Sequence, residues 1–329
     1  MSNLETQPEE RVCAGEGDGA TGARSPLEIL EPRDVPLGGP RAMQVRRTLP
    51  QRRRSLIGAW CFVDHYGPEP IAGTRTMDVP PHPHTGLQTV SWLFEGEIEH
   101  RDATGAHALV RPGELDLMTA GRGIQHSEYS TTATGTLHGA QLWIALPEGA
   151  RGMPPAFEQV VSRRAELGDA VLRVFVGSLA GAVSPAVVHT PLVAAQLDLP
   201  AGGSVTLPVD ETFEHGLLVD AGAPRLEGVE VAADHLAYAA PGRTSLRIEA
   251  GAEPVRAILI GGEPLGERIV MWWNFVGRSH EEIVAFRREW QASIAGGDAD
   301  GAGRFGAIED PTPPLPAPEL PNVRLAPRG

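Results

Sequence analysis

Two short stretches of this 329-residue chain set potential metal ligands one residue apart. The first reads Pro80-Pro81-His82-Pro83-His84-Thr85-Gly86. The second reads Thr119-Ala120-Gly121-Arg122-Gly123-Ile124-Gln125-His126-Ser127-Glu128. Side chains at i and i+2 of an extended strand share a face. His82 and His84 therefore look one way together, and so do His126 and Glu128. Two such strands apposed across a small barrel would bring three imidazoles and one carboxylate onto one ion. That set suits Fe(II), Mn(II), Ni(II) or Cu(II) and is unlike a closed structural zinc site, which normally recruits thiolates. Four ligands on an ion that prefers six leave two places for water, dioxygen or a chelating substrate, the layout of O₂ activation or Lewis-acid chemistry. Glu128, the one anionic ligand, could also accept a substrate proton if it loosened from the ion. Gly121 and Gly123 would let the backbone turn tightly just before the ligand strand. His65, His100, His107 and His138 have no partner at i±2 and read as core or surface residues.

The elements that must hold these ligands are short. Ile57–Tyr66 reads as a strand ended by Gly67-Pro68, after one or two lead-in strands between Leu27 and Pro50. Leu87–Phe94 is a β-branched and aromatic run. Ile98–Asp102, Ala108–Val110, Leu115–Met118 and His138–Leu146 follow, each bounded by turn residues. This rhythm predicts a sandwich or barrel rather than a parallel α/β sheet. Pro147–Pro155 breaks the pattern like a domain joint. A second run then predicts a second β-barrel: Val171–Val176, Leu192–Leu199, Ser204–Leu207, Phe213–Val219, Leu236–Ala239, Leu246–Ile248 and Val255–Ile260. Its histidines, His189, His215 and His235, are scattered, so this barrel reads as metal-free. Ser279 as N-cap and Glu282 as capping-box partner open an amphipathic helix with Ile283, Phe286, Trp290 and Ile294 on one face, stopped by Gly296-Gly297. The resulting expectation is an all-β protein with one C-terminal helix. Residues 1–25 form a disordered tail, 26–150 the metal-binding barrel, 151–297 the second barrel with the helix, and 298–329 a Gly/Pro-rich tail, either solvated or packed.

Composition narrows the functions. A net charge of −14 disfavours direct contact with nucleic-acid phosphates or anionic membranes. The cluster Arg46, Arg47, Arg52, Arg53 and Arg54 reads as a solvated edge or loop rather than a phosphate site. Only Cys13 and Cys61 are present, which fits a reducing compartment. The acidic N-terminus lacks the apolar core of a secretory signal, and no run approaches the roughly 18 apolar residues of a membrane span. The chain reads as cytoplasmic.

His82-Pro83-His84-Thr85-Gly86, Leu93-Phe94-Glu95-Gly96-Glu97, His100-Arg101-Asp102 and Met118–Ile124 with His126-Ser127-Glu128 closely resemble the pirin family of the cupin superfamily. Gly261–Leu265, Met271–Val276 and the helix after Ser279 resemble that family's C-terminal end, so the likeness spans roughly residues 27 to 305. The resemblance implies a bicupin of two jelly-roll barrels, with one metal, usually iron, in the N-terminal barrel. Carried over by motif position, the ligands are His82, His84, His126 and Glu128. It also implies two kinds of activity. One is a quercetin 2,3-dioxygenase-like oxidation of a flavonol or similar small aromatic or enediol substrate with O₂. The other is an iron-dependent, redox-sensing regulatory role that binds a protein partner as transcriptional cofactor or enzyme modulator. Gln88 departs from the pattern, falling where many members carry Glu. An amide there can hydrogen-bond beside the site but cannot act as base or anionic ligand, which leaves Glu128 as the base.

Overall fold

Runs of β-branched and aromatic residues punctuated by Gly and Pro turns close here into two antiparallel barrels. The computed structural model describes residues 27–37, 43–71, 76–297 and 303–329. The expected disordered tail, with Cys13, lies outside the described residues. Each barrel pairs one seven-stranded sheet with one four-stranded sheet. In the first, the large sheet runs in the order Ala156–Val161, Glu114–Thr119, Leu87–Glu95, Thr136–Ala145, Trp60–Pro70, Gln44–Leu49, Arg33–Pro36. Its small sheet runs Asp78–His84, Ile124–Ser130, Ile98–Asp102, His107–Val110. The second large sheet carries Glu28–Leu30 on one edge, followed inward by Leu236–Ala239, Glu214–Ala221 and Val255–Gly262.

The barrels interlock rather than abut. Glu28–Leu30, at the start of the described chain, pairs with Leu236–Ala239 of the second barrel, while Ala156–Val161, past the Pro-rich joint, pairs with Glu114–Thr119 of the first. The two large sheets face each other across one apolar core that draws Trp60, Trp92 and Val90 from one barrel and Phe175, Leu218 and Ile258 from the other. Trp92 stacks on Phe175 with centroids 4.3 Å apart, an arrangement worth about 0.5–1.5 kcal/mol beyond its buried area. The indole N–H groups find partners across the seam: Trp60 donates to the Gly261 carbonyl at 3.1 Å and Trp92 to Gln196 Oε1 at 3.0 Å.

Several expectations need correcting. The strand from Trp60 does not end at Gly67-Pro68. It runs on to Pro70, with its partner strand passing the two residues at a register shift between Leu137 and Gly139. It also starts three residues late, because Ile57 and Trp60 bond each other across a tight turn in which Gly58 holds φ +56°. Of the arginine cluster, Arg52 and Arg53 are exposed in a loop as expected, but Arg46, Arg47 and Arg54 are not a solvated edge. Arg47 is buried in a bidentate pair with Asp64 at 2.7 and 2.8 Å. Arg46 and Arg54 reach the second barrel, at Asp234 (2.9 Å) and Glu214 (3.4 Å).

The helix, α1, runs His280–Ala292 from Ser279, whose side chain accepts from the Glu282 N–H. Glu282 returns its carboxylate to the N–H of Arg278 rather than to that of the cap residue (2.6 Å). The buried face of α1 (Ile283, Phe286, Trp290) packs on the hairpin Val270–Trp272/Phe275–Gly277 and on Phe305. That hairpin docks on the first barrel through a bridge from Thr85 to Phe275. The Pro-rich segment packs on one side, with Ala317 buried, while Pro311, Pro313, Pro314 and Pro316 stay exposed. The Leu315 N–H donates to the Pro81 carbonyl at 2.8 Å, and Trp290 donates to the Leu315 carbonyl at 2.8 Å. Among the described residues no helix is long and apolar enough to cross a membrane.

Candidate metal centre

The two ligand stretches are neighbours in one sheet. Ile124–Ser130 runs antiparallel to Asp78–His84 with His126 opposite His82. Strand alternation turns His82, His84, His126 and Glu128 inward and sends Gln125, Ser127 and Tyr129 outward. The outward set is held by the C-terminal segment: Ser127 and Tyr129 hydroxyls each donate to the Asp310 carboxylate at 2.7 Å. The approach turn is shaped by contact as much as by conformation. Gly121 holds φ +53°, and a Cβ there would sit 2.2 Å from the Met153 carbonyl, so no larger residue fits.

His82, His84 and His126 are fully buried, with ring centroids 4.3 to 5.1 Å apart. One nitrogen from each lies within 4.8 Å of the others. Ligands about 2.1 Å from an ion stand about 3 Å apart when adjacent and about 4.2 Å when opposite, so the spacing accommodates one. The tautomers are set by the other ring nitrogens. A carbonyl can only accept, so His82 Nδ1 must donate to the Pro80 carbonyl (2.9 Å) and His84 Nδ1 to that of Asn274 (3.1 Å). Each Nε2 is then a bare lone pair. The Nε2 atoms of all three histidines are buried with no hydrogen-bond partner. Buried nitrogens in that state are costly, and a shared cation would satisfy them together. Burial also pushes all three imidazoles well below their ordinary pKa, into the neutral form that binds metal.

Glu128 is buried beside this set rather than inside it. It forms an overlapping group with His100 and His126, again within 4.8 Å, and its Oε1 accepts from the Ser91 hydroxyl at 3.1 Å. His100 is the residue that sequence reasoning missed. Its Nδ1 lies 3.5 Å from His126 Nδ1, its Nε2 donates to Asp102 Oδ2 at 3.1 Å, and its ring stacks on Phe157 with centroids 4.7 Å apart. Burial opposes charge on His100, but Asp116 and the hydrogen-bonded Asp102 outweigh it and raise its pKa. Burial pushes the Asp116 carboxyl up to about 7. The signal was present: His100-Arg101-Asp102 is itself an i, i+2 pair on one strand face.

Gln88 does not touch this cluster. It shares strand parity with Val90 and Trp92, which face the second barrel, and its amide donates to Thr119 Oγ1 at 2.9 Å and to the Val187 carbonyl at 3.0 Å. The substitution of amide for carboxylate therefore leaves the metal pocket untouched. Asn274 was unforeseen. Its carbonyl orients His84 from 190 residues away, which explains why the Met271–Val276 stretch belongs with the ligand motif.

Two facing barrels of this kind, with an inward cluster of histidines and acids in the first, define a bicupin. The Pirin family model matches residues 42–144, and that of the Pirin C-terminal cupin domain matches residues 194–295. The chain belongs to the pirin family. It is 40% identical over 296 residues (88% of this chain, 91% of the other) to a protein of Pseudomonas aeruginosa provisionally named as a quercetin 2,3-dioxygenase. The crystal structure of a quercetin 2,3-dioxygenase from Acinetobacter baumannii is 37% identical and superposes with a TM-score of 0.82, covering 91% of this chain and 97% of that one. The nickel(II) complex of the pirin YhhW from Escherichia coli shares the fold at 21% identity and a TM-score of 0.55, over 72% of this chain and 99% of that one.

Proposed function

We propose that this pirin is a mononuclear metal-dependent dioxygenase of the quercetin 2,3-dioxygenase kind. It would use O₂ on flavonol-like, catechol-bearing or enediol substrates, with His82, His84, His126 and Glu128 as ligands and Fe(II) as the ion. The observation that carries the reading is the trio of fully buried imidazoles, each with one ring nitrogen within 4.8 Å of the others and each with an unpartnered Nε2. The ion, when bound, would supply Lewis acidity and a meeting point for O₂ and substrate. The protein's part is to hold the imidazoles neutral and aimed, to keep bulk water out of the barrel, and to take a proton. Glu128 is the base in this reading. Its support is its burial and its position at the side of the three-imidazole set, where it can accept the hydroxyl proton of a substrate seated over them. His100 is a positioning residue for His126 through the 3.5 Å contact. A reducing, cytoplasmic setting belongs to the same proposal, since Cys61 is a free thiol, and burial pushes its pKa to about 12.

The test loads the protein separately with Fe(II), Mn(II), Ni(II) and Cu(II) and follows quercetin loss and O₂ uptake. Turnover is expected, absent in His126→Ala and lowered about 10²-fold or more in Glu128→Gln with metal content retained. No O₂ uptake by the folded, loaded protein across a broad flavonol panel refutes the proposal. The regulatory reading draws less support, because the imidazoles are fully buried and a surface partner would have no direct access to them.

A further inference from the structure

An open cleft lies between the barrels, and its lining includes none of His82, His84, His100 or His126. It encloses about 480 Å³ and is lined on its apolar side by Phe94, Pro112 and Val171 and on its polar side by Arg164, Arg173 and Arg256. That volume is in the range of small-molecule pockets, about 300–1,000 Å³. A chain with net charge −14 has gathered three guanidiniums into one cleft. Each guanidinium has one carboxylate partner, and none of the three pairs is both buried and exclusive. Asp198 is the one acidic residue in the lining and pairs with Arg173 at 2.7 Å. Glu166 pairs with Arg164 at 2.7 Å, but both side chains are more than 60% exposed, where water screens the pair. Asp220 pairs with Arg256 at 2.5 Å, yet the same carboxylate lies 2.8 Å from His65 and 2.6 Å from His138. The Arg256 guanidinium lies over the Phe94 ring, 4.4 Å from its centroid, with its Nη2 3.3 Å from His138 Nδ1.

We infer that this inter-barrel cleft is a binding site for a small organic anion: a carboxylate or phosphate carried on a flat apolar body. The body would lie along Phe94 and Val171, and the anionic head would be taken by the guanidinium forks of Arg164 and Arg173, which match planar oxyanions two bonds at a time. The site is separate from the proposed oxidation. Its residues come from both barrels, so an occupant would also bridge them.

The probe is 1-naphthoate, with the uncharged 1-naphthamide as its control, titrated by calorimetry into chelator-treated and into metal-loaded protein. Binding is expected with either protein, weakened at least tenfold in Arg164→Gln/Arg173→Gln and at least tenfold weaker for the amide. It should also fall as sodium chloride is raised. Both arginine side chains are partly exposed, at 63% and 39%, and an unchanged urea midpoint in the variant confirms that the fold is intact. Three results each overturn the inference: naphthoate binding unaffected in the double variant, amide binding as tight as naphthoate, or binding abolished by His126→Ala alone.

Discussion

Asp220→Asn is the sharpest test of how the two barrels are joined. Asp220, on the second barrel, has a fully buried side chain that faces His65 Nε2 and His138 Nε2 from the first. His65 Nδ1 in turn meets Asp234 at 2.9 Å, so its ring is held between two carboxylates of the other barrel. Burial opposes the charge, but the hydrogen bonds to Asp220 and Asp234 outweigh it and raise the pKa of His65. Burial opposes the charge on Asp220 too, but hydrogen bonds from His138 and His65 outweigh it and hold Asp220 well below the usual carboxylate range. A raised histidine pKa contributes stability that is fully present below its unfolded value of about 6.5 and is lost as pH rises through the folded value. A depressed aspartate pKa contributes above its unfolded value of about 3.9 and is lost as pH falls toward the folded one. The cluster therefore stabilises most between about pH 4 and 6.5. Removing one charge from a buried pair costs about 3–5 kcal/mol, so Asp220→Asn should lose about that much near pH 6. As pH rises through the folded pKa of His65 the loss should shrink, leaving the share due to Arg256, which pairs with the same carboxylate and stays charged throughout. Urea unfolding of both proteins from pH 5 to 9 reads this directly. A difference that stays constant across that range would refute the account of His65 as a charged link.

Further outcomes follow from other contacts. A saturating divalent ion at 100 times its Kd should stabilise the protein by about 2.7 kcal/mol. The melting shift should be reversed by a chelator and absent in His82→Ala. Gly86→Ala should destabilise by at least about 1–2 kcal/mol and lower metal occupancy, because φ is +68° and the new Cβ would lie 2.3 Å from the Val276 carbonyl beside His84. Its melting temperature and metal content check both. Asp310→Ala strands the buried hydroxyls of Ser127 and Tyr129 behind the ligand strand. We expect a loss of about 1–3 kcal/mol and faster proteolysis within residues 303–329, followed by mass spectrometry.

What could be read from residue order alone was whatever depends on neighbours in the chain. Side-chain alternation in a strand is local, so the shared faces of His82 with His84 and of His126 with Glu128 followed from spacing. The strands Leu192–Leu199 and Leu236–Ala239 have the bounds that their apolar runs and flanking turns imply. The Ser279 cap was legible for the same reason. Contacts between distant segments were not, because pairing across hundreds of residues leaves no periodic trace. Folding alone decided that the Asn274 carbonyl orients His84 and that His100 stands behind His126. It also turned Gln88 toward the other barrel and drew Arg46, Arg47 and Arg54 into separate ion pairs, two of them reaching across the seam. The candidate ligand types lie in the sequence, but their convergence depends on Asp78–His84 and Ile124–Ser130 pairing side by side in one sheet, a register between distant segments that local residue order does not fix.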